Sequence, residues 1–300
     1  MTLKNGIVAV IFSAVSQFAQ DAPKRAEAPP PGPVPMSLNN YQPVTTERLL
    51  HPQDGDWLMG RRTYDGWGYS PLFQITPENV QRLEPVWVVS TGVNNGHEAV
   101  PVVNNGAMFV STPGSQVMAI DVKTGIVLWR YKRQLPEDVI WPHPTSRGVA
   151  LYNDKVYFAA GDAVLVALDA RTGKELWTTK VAENKQGYYM SLAPIVADGK
   201  VLMGTSGGDL GIRGFVAAFD AETGKEVWRV FTIPAPGEPG SETWPVGGEQ
   251  WKSGGGSTWV AGNYDPETKL TFWGTSNGGP WIGDERPATI YTPDQPSRSI

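Results

Sequence analysis

The sequence predicts an all-β fold, a β-propeller of which this chain supplies about four to five radially arranged blades. One phrase recurs three times: Ala119-Ile-Asp-Val-Lys-Thr-Gly-Ile-Val-Leu-Trp129, Ala167-Leu-Asp-Ala-Arg-Thr-Gly-Lys-Glu-Leu-Trp177 and Ala218-Phe-Asp-Ala-Glu-Thr-Gly-Lys-Glu-Val-Trp228. The closing tryptophans fall 48 and 51 residues apart, a period that suits four-stranded blades and not short helical repeats. Composition agrees, because 34 Gly and 26 Pro call for many turns and few helices.

Each phrase reads as strand, turn, strand. An apolar run enters, Asp and the Thr-Gly pair reverse the chain, and the Trp sits on the returning strand. A weaker copy, Tyr264-Asp-Pro-Glu-Thr-Lys-Leu-Thr-Phe-Trp273, follows after a similar interval, and Pro85-Val-Trp87 lies about one period before Trp129. Ahead of the repeats, Thr76-Pro77-Glu78-Asn79-Val80 offers an N-cap with Pro at the first helical position, and so predicts one short helix.

The formal charge of −5, with no Lys/Arg cluster, argues against a nucleic-acid partner. Cysteine is absent, which excludes disulfides and thiolate metal sites. Lys4 and the apolar stretch Gly6–Val15 have the order of a secretory signal, and the stretch is too short to span a bilayer. Ala14-Val15-Ser16 and Phe18-Ala19-Gln20 are alternative cleavage sites. Pro23 through Pro35 then reads as an extended linker. The expected organisation is a signal peptide over 1–20, a Pro-rich linker over 21–45 and the partial propeller over 46–300.

From Asp56-Trp57, Arg61-Arg62-Thr63-Tyr64 and Tyr69-Ser70-Pro71-Leu72 onward, to about Arg286, the motifs resemble the quinoprotein alcohol dehydrogenases in order and spacing. These are eight-bladed propellers that carry pyrroloquinoline quinone (PQQ) and a metal ion at their centre. Eight blades want roughly 350 to 400 residues, so the chain reads as the N-terminal part of such a ring. The resemblance implies oxidation of primary alcohols in the periplasm, with Ca²⁺ or a lanthanide as the ion and a cytochrome c as a fitting electron acceptor.

The cofactor's chemistry explains the residue types. A tricyclic quinone with three carboxylates needs cations or donors for its acids, an aromatic plane for its ring and a hard ion for its reactive carbonyl. By resemblance, Glu98 in Gly96-His97-Glu98 contacts the cofactor, and Arg147 in Arg147-Gly148-Val149-Ala150 lies near the quinone oxygens. Ser191 in Ser191-Leu-Ala-Pro194 stands where the family usually has Thr and keeps the hydroxyl. In Ser206-Gly207-Gly208-Asp209 the Ser and two Gly cradle a carboxylate. Asp209 takes the place of the usual metal-binding Glu, one methylene shorter. In Trp251-Lys-Ser-Gly-Gly-Gly-Ser257-Thr-Trp259, Ser257 contacts the cofactor and Trp259 stacks beneath its ring. Asn277, in Gly274-Thr-Ser-Asn-Gly-Gly-Pro-Trp281, gives an oxygen to the metal.

Two departures stand out. Trp141 and Pro142 occupy the place of the family's vicinal Cys-Cys pair, which makes Trp141 the candidate for an aromatic lid over the quinone. The family's catalytic Asp is expected about forty residues beyond Asn277, past Ile300, so no catalytic base is assigned in this chain. Two other readings stay open at this point: a cofactor-free propeller scaffold, since similar repeats occur in assembly proteins, and an inactive truncated fragment with unpaired strand edges.

Overall fold

The computed structural model describes residues 36–39, 41–244 and 247–279. The expected signal peptide and most of the expected linker lie outside these residues. Within the described part of the linker, Leu38 of the short helix α1 (Met36–Asn39), Tyr41 and Val44 are all buried, and Val44 bridges to Asn153. A second short helix, α2 (Thr46–Leu50), is capped by the Thr45 hydroxyl, which accepts from the Arg48 amide.

Three four-stranded antiparallel sheets follow. The first is β1 (Val102–Asn104), β2 (Ala107–Thr112), β3 (Gln116–Asp121) and β4 (Val127–Lys132). The second is β5 (Ala150–Tyr152), β6 (Lys155–Ala160), β7 (Val164–Asp169) and β8 (Glu175–Lys180). The third is β9 (Ile195–Ala197), β10 (Lys200–Met203), β11 (Phe215–Asp220) and β12 (Glu226–Phe231). Every sheet is built from consecutive strands, the up-and-down meander of a propeller blade.

Period-2 alternation explains how the blades stack. Along β6 and β7, Val156, Phe158, Val164, Val166 and Leu168 turn toward the first sheet, while Tyr157, Ala159, Leu165 and Ala167 turn toward the third. The middle sheet is buried on both faces, so these strands read as unbroken apolar runs. The outer strand β8 is polar and mostly exposed.

The recurring phrase is the turn between the third and fourth strands. Asp121 Oδ1 accepts from the Lys123 and Thr124 amides and the Thr124 hydroxyl, and Asp169 and Asp220 repeat the pattern. The Gly that follows has a φ of 72°, 69° or 70° in the three copies, where a Cβ is penalised. Trp129, Trp177 and Trp228 take equivalent places on β4, β8 and β12, as the period predicts.

The fourth copy differs. Tyr264-Asp265 and Leu270-Thr-Phe272 form a two-stranded ribbon, β13 (Asn263–Asp265) with β14 (Leu270–Phe272). Asn263 and Tyr264 line a central cavity of about 110 Å³ beside Ala150, Leu151, Ile195 and Val196, so this ribbon is the inner pair of a blade and not its outer pair. Lys269, with a φ of 59°, ends a four-residue turn capped by the Asp265 side chain, the place that Gly125, Gly173 and Gly224 hold in the recurring phrase. Trp273 folds onto Gly262 of its own hairpin. Trp87, on an extended segment outside any sheet, has its ring over Gly125 and donates its indole N–H to the Val122 carbonyl at 3.0 Å. The expected helix at Thr76 shortens to a 3-10 turn over Val80–Arg82, with Asn79 Oδ1 accepting from the Thr76 amide.

Candidate functional site

The expected site residues come from connections at one end of the sheets. Arg147 and Ser191 precede first strands β5 and β9, while Ser206 follows second strand β10, so the meander returns all three to the same end. The Asp-Thr-Gly turns fall at the opposite end. Glu98 precedes β1, and the stretch from Ser257 to Trp259 precedes β13.

Arg147 is the hub. Its guanidinium pairs with Glu98 at 2.6 Å, donates to the Ser191 carbonyl at 3.2 Å and lies 4.6 Å from the centroid of the Trp259 ring. The planar fork suits three directional partners at once. Its backbone is held as well, with the Val100 amide donating to the Arg147 carbonyl and His97 bridging to Ser146. Trp259 remains 41% exposed.

A line of buried hydroxyls adjoins it. Ser191 Oγ and Ser206 Oγ lie 2.8 Å apart, as do Ser257 Oγ and Ser276 Oγ. Ser191, Ser206 and Ser257 are each at most 4% exposed. Each hydroxyl carries one proton and two lone pairs, so a hydroxyl pair keeps capacity for a further partner. Gly207 has a φ of 108°, and a Cβ on Gly208 would stand 2.8 Å from Ser257 Oγ, so this loop approaches only as glycine. Thr258 anchors the far side: its hydroxyl donates to the Phe215 carbonyl at 2.7 Å and its amide to the Thr205 carbonyl at 2.9 Å.

Asp209 sits on the 3-10 turn Gly208–Leu210 with its side chain exposed. Asn277 is tied in through its backbone, since its carbonyl accepts from the Gly256 amide at 3.1 Å. The Asn277 side-chain amide donates to the Gly278 carbonyl at 3.1 Å, which leaves its oxygen for another partner. The two segments meet where a Cβ on Gly208 would stand 3.1 Å from Ser276 Oγ. No group of three or more His, Cys, Asp and Glu side chains gathers among the described residues. A hard ion at Asp209 and Asn277 would therefore draw further oxygens from its guest and from water.

Sequence reasoning thus places Glu98, Arg147, Ser191, Ser206, Gly207, Gly208, Asp209, Ser257, Trp259 and Asn277 in residues that this geometry joins into one region. The Trp141 indole packs on Gly161 of the β6–β7 turn, within 2.5 Å of where a Cβ would be, at the same end of the second sheet as Arg147, and its N–H is buried without a partner among the described residues. The group that faces the Trp259 ring is Arg147. Two residues were missed. Ser276 stands beside Asn277 in a turn-like Gly-Thr-Ser-Asn run, and Tyr189 stands two residues before Ser191 on an extended segment.

The chemistry of the donor set fits a flat polyanion with a bound hard cation. It offers a fixed cation, a row of buried hydroxyls, a glycine cradle, an aromatic face, a carboxylate and an amide oxygen.

Comparison with known proteins agrees in kind. Residues 57–292 match the family profile of the glucose/ethanol/alcohol dehydrogenase β-propeller domain, PQQ. The chain is 42% identical over 254 residues to the dehydrogenase subunit of a quinone alcohol dehydrogenase from Gluconobacter oxydans, covering 77% of this chain and 33% of that protein. It is 38% identical over 261 residues to a lanthanide-dependent methanol dehydrogenase from Methylacidiphilum fumariolicum, covering 79% of this chain and 42% of that one. A solved europium-containing methanol dehydrogenase superposes with a TM-score of 0.76 at 37% identity, over 81% of this chain and 46% of that structure. The chain therefore spans less than half the length of these relatives.

Proposed function

We propose a function from one premise: the chain belongs to the PQQ family of glucose/ethanol/alcohol dehydrogenase β-propellers. In this reading the protein oxidises primary alcohols to aldehydes with PQQ and a hard metal ion, Ca²⁺ or a lanthanide. It works in the periplasm, where it passes electrons to a carrier such as a cytochrome c. The observation that carries the reading is the Arg147 hub, which ties Glu98, Ser191 and Trp259 to one point beside the Ser191–Ser206 and Ser257–Ser276 pairs. A scaffold without a cofactor has no use for a buried hydroxyl row facing a fixed cation. Gly6–Val15 supports the location, and the names of the relatives support the substrate class.

When bound, the quinone would supply a two-electron, two-proton acceptor for an alcohol, and the ion would supply Lewis acidity. The protein's residues position and hold. Trp259 would offer its face to the ring, and the Ser191–Ser206 and Ser257–Ser276 pairs, each spending one of its two protons internally, would donate the other to the acids. Arg147 keeps a permanent positive charge beside the place where negative charge develops, with Glu98 fixing its orientation. Gly207 and Gly208 let backbone come close without a Cβ. Asp209 and Asn277 would hold the ion, with Asp209 giving a shorter reach than Glu. The buried hydroxyl row also excludes water from the side of the guest that it contacts.

The test is a dye-linked oxidation of ethanol by the natural gene product supplied with PQQ and Ca²⁺ or La³⁺. Metal- and PQQ-dependent dye reduction is expected, and it should be lost in Trp259→Ala. Turnover that is indifferent to PQQ would overturn the reading.

A further inference from the structure

The segment from Tyr188 to Leu192 alternates. Tyr188 packs on Phe215, and its hydroxyl meets the Arg213 backbone at 3.2 Å. Met190 and Leu192 are fully buried in the core between the second and third sheets. Tyr189 and Ser191 therefore turn the other way, because successive side chains of an extended segment point to opposite faces.

A second relationship fixes the same direction. Tyr189 and Ser206 are directly opposed in an antiparallel bridge, with the Ser206 amide donating to the Tyr189 carbonyl at 2.9 Å. Opposed residues of an antiparallel pair share a face. The 2.8 Å contact between Ser191 Oγ and Ser206 Oγ shows which face that is. Tyr189 thus stands in one row with the two hydroxyls of the candidate site.

Its surroundings agree. The residue is 8% exposed. Burial holds the phenol above its ordinary pKa, Asp209 pushes the same way and Arg147 opposes, so both charged groups of the site lie within electrostatic reach. A protonated phenol is a donor, and its O–H is the one polar group of the side chain.

We propose that Tyr189 is a further binding residue of this site, donating its phenol hydrogen bond to a carboxylate of the planar anionic guest held between Arg147 and the Ser191–Ser206 pair. The proposal rests on the quinone reading above. Tyr189 then sets orientation as well as affinity, since a phenol hydroxyl stands farther from the backbone than a serine hydroxyl.

The experiment is quenching of tryptophan fluorescence by PQQ, in Ca²⁺ buffer, on the wild-type chain and on Tyr189→Phe. The substitution keeps the ring and its packing. The wild type should show saturable quenching, and Tyr189→Phe should weaken the dissociation constant about three- to tenfold, the worth of one hydrogen bond. The thermal melting curve should stay within a few degrees. The trimethyl ester of PQQ, which carries no carboxylate, should bind the two proteins alike. Equal affinity of both proteins for PQQ overturns the role of Tyr189, and an equal penalty on acid and ester assigns the effect to packing and overturns it too. Absence of quenching in the wild type overturns the quinone reading, and Tyr189's role with it. Tyr189→Ala gives a second readout, with a loss at least as large as that of Phe.

Discussion

The six-membered ring of Trp129 lies against the backbone of Gly173 in the next sheet, so closely that a Cβ on Gly173 would fall 2.6 Å from it. The indole N–H donates to the Ala170 carbonyl at 3.0 Å in the same turn. Trp177 on Gly224 repeats the dock between the second and third sheets, and Trp87, outside any sheet, lies likewise on Gly125 of the first. Gly173→Ala should therefore cost about 2 to 4 kcal/mol, combining overpacking with a φ of 69°. Gly106→Ala, at a φ of 83° with nothing within 4 Å, isolates the backbone penalty of about 1 kcal/mol. Urea denaturation of the two variants separates the terms.

The docks are unequal in their polar part. The Ala221 carbonyl, which corresponds to that of Ala170, accepts from the Tyr157 hydroxyl at 2.9 Å, and the buried Trp177 N–H has no partner among the described residues. Trp129→Phe strands a buried carbonyl, whereas Trp177→Phe removes a donor that was already unmatched. The first should be more destabilising than the second by about 1 kcal/mol in chemical denaturation.

Acid should act through the turn aspartates. Asp121 and Asp220 are held below the usual carboxylate range, chiefly by the hydroxyls of Thr124 and Thr223, with backbone amides adding to the effect. A lowered native pKa stabilises the fold above the unfolded value of about 3.9, and that share is lost as pH falls through the native values. The urea midpoint should drop between about pH 5 and pH 3, and the drop should shrink in the double variant Asp121→Asn/Asp220→Asn.

Lys269 is a misfit that a substitution should relieve. Its φ of 59° falls where the turns of the recurring phrase carry Gly125, Gly173 and Gly224, and Asn tolerates left-handed backbone better than Lys. Its approach to Asp198 at 3.9 Å is exposed and contributes little. Lys269→Asn should raise stability by about 0.5 to 1 kcal/mol, read as a higher melting temperature.

Arg147→Lys tests the hub. An ammonium can pair with Glu98 but cannot also lie flat on Trp259 and reach the Ser191 carbonyl. PQQ affinity, read by fluorescence quenching, should fall about tenfold or more, as one charge-assisted hydrogen bond is lost. Full retention would show that only the charge matters.

The blades were legible because their signal is local. The Asp turn, the positive-φ Gly and the Trp fall within eleven residues, so Ala119–Trp129 carries its own fold. The ribbon at Tyr264 was misassigned because Asp, Thr and Trp at the same offsets also fit a hairpin of the inner pair. Only the sheet partners and the cavity wall tell the two apart. Most of the site followed from family resemblance, residue by residue. Tyr189 did not, because its role comes from a bridge to Ser206 that no local pattern announces.

Because Glu98, Arg147, Ser191 with Ser206, and Ser257 stand at the mouths of four successive blades, the width of the pocket is a compound of three angles of rotation. Two of these angles are set at the opposite end of the sheets by a tryptophan lying on a glycine, Trp129 on Gly173 and Trp177 on Gly224. A small slip at Gly173 or Gly224 would be levered along the strands and reappear as a displaced hydroxyl or guanidinium. The tolerance of the site is therefore written in residues that never touch its guest.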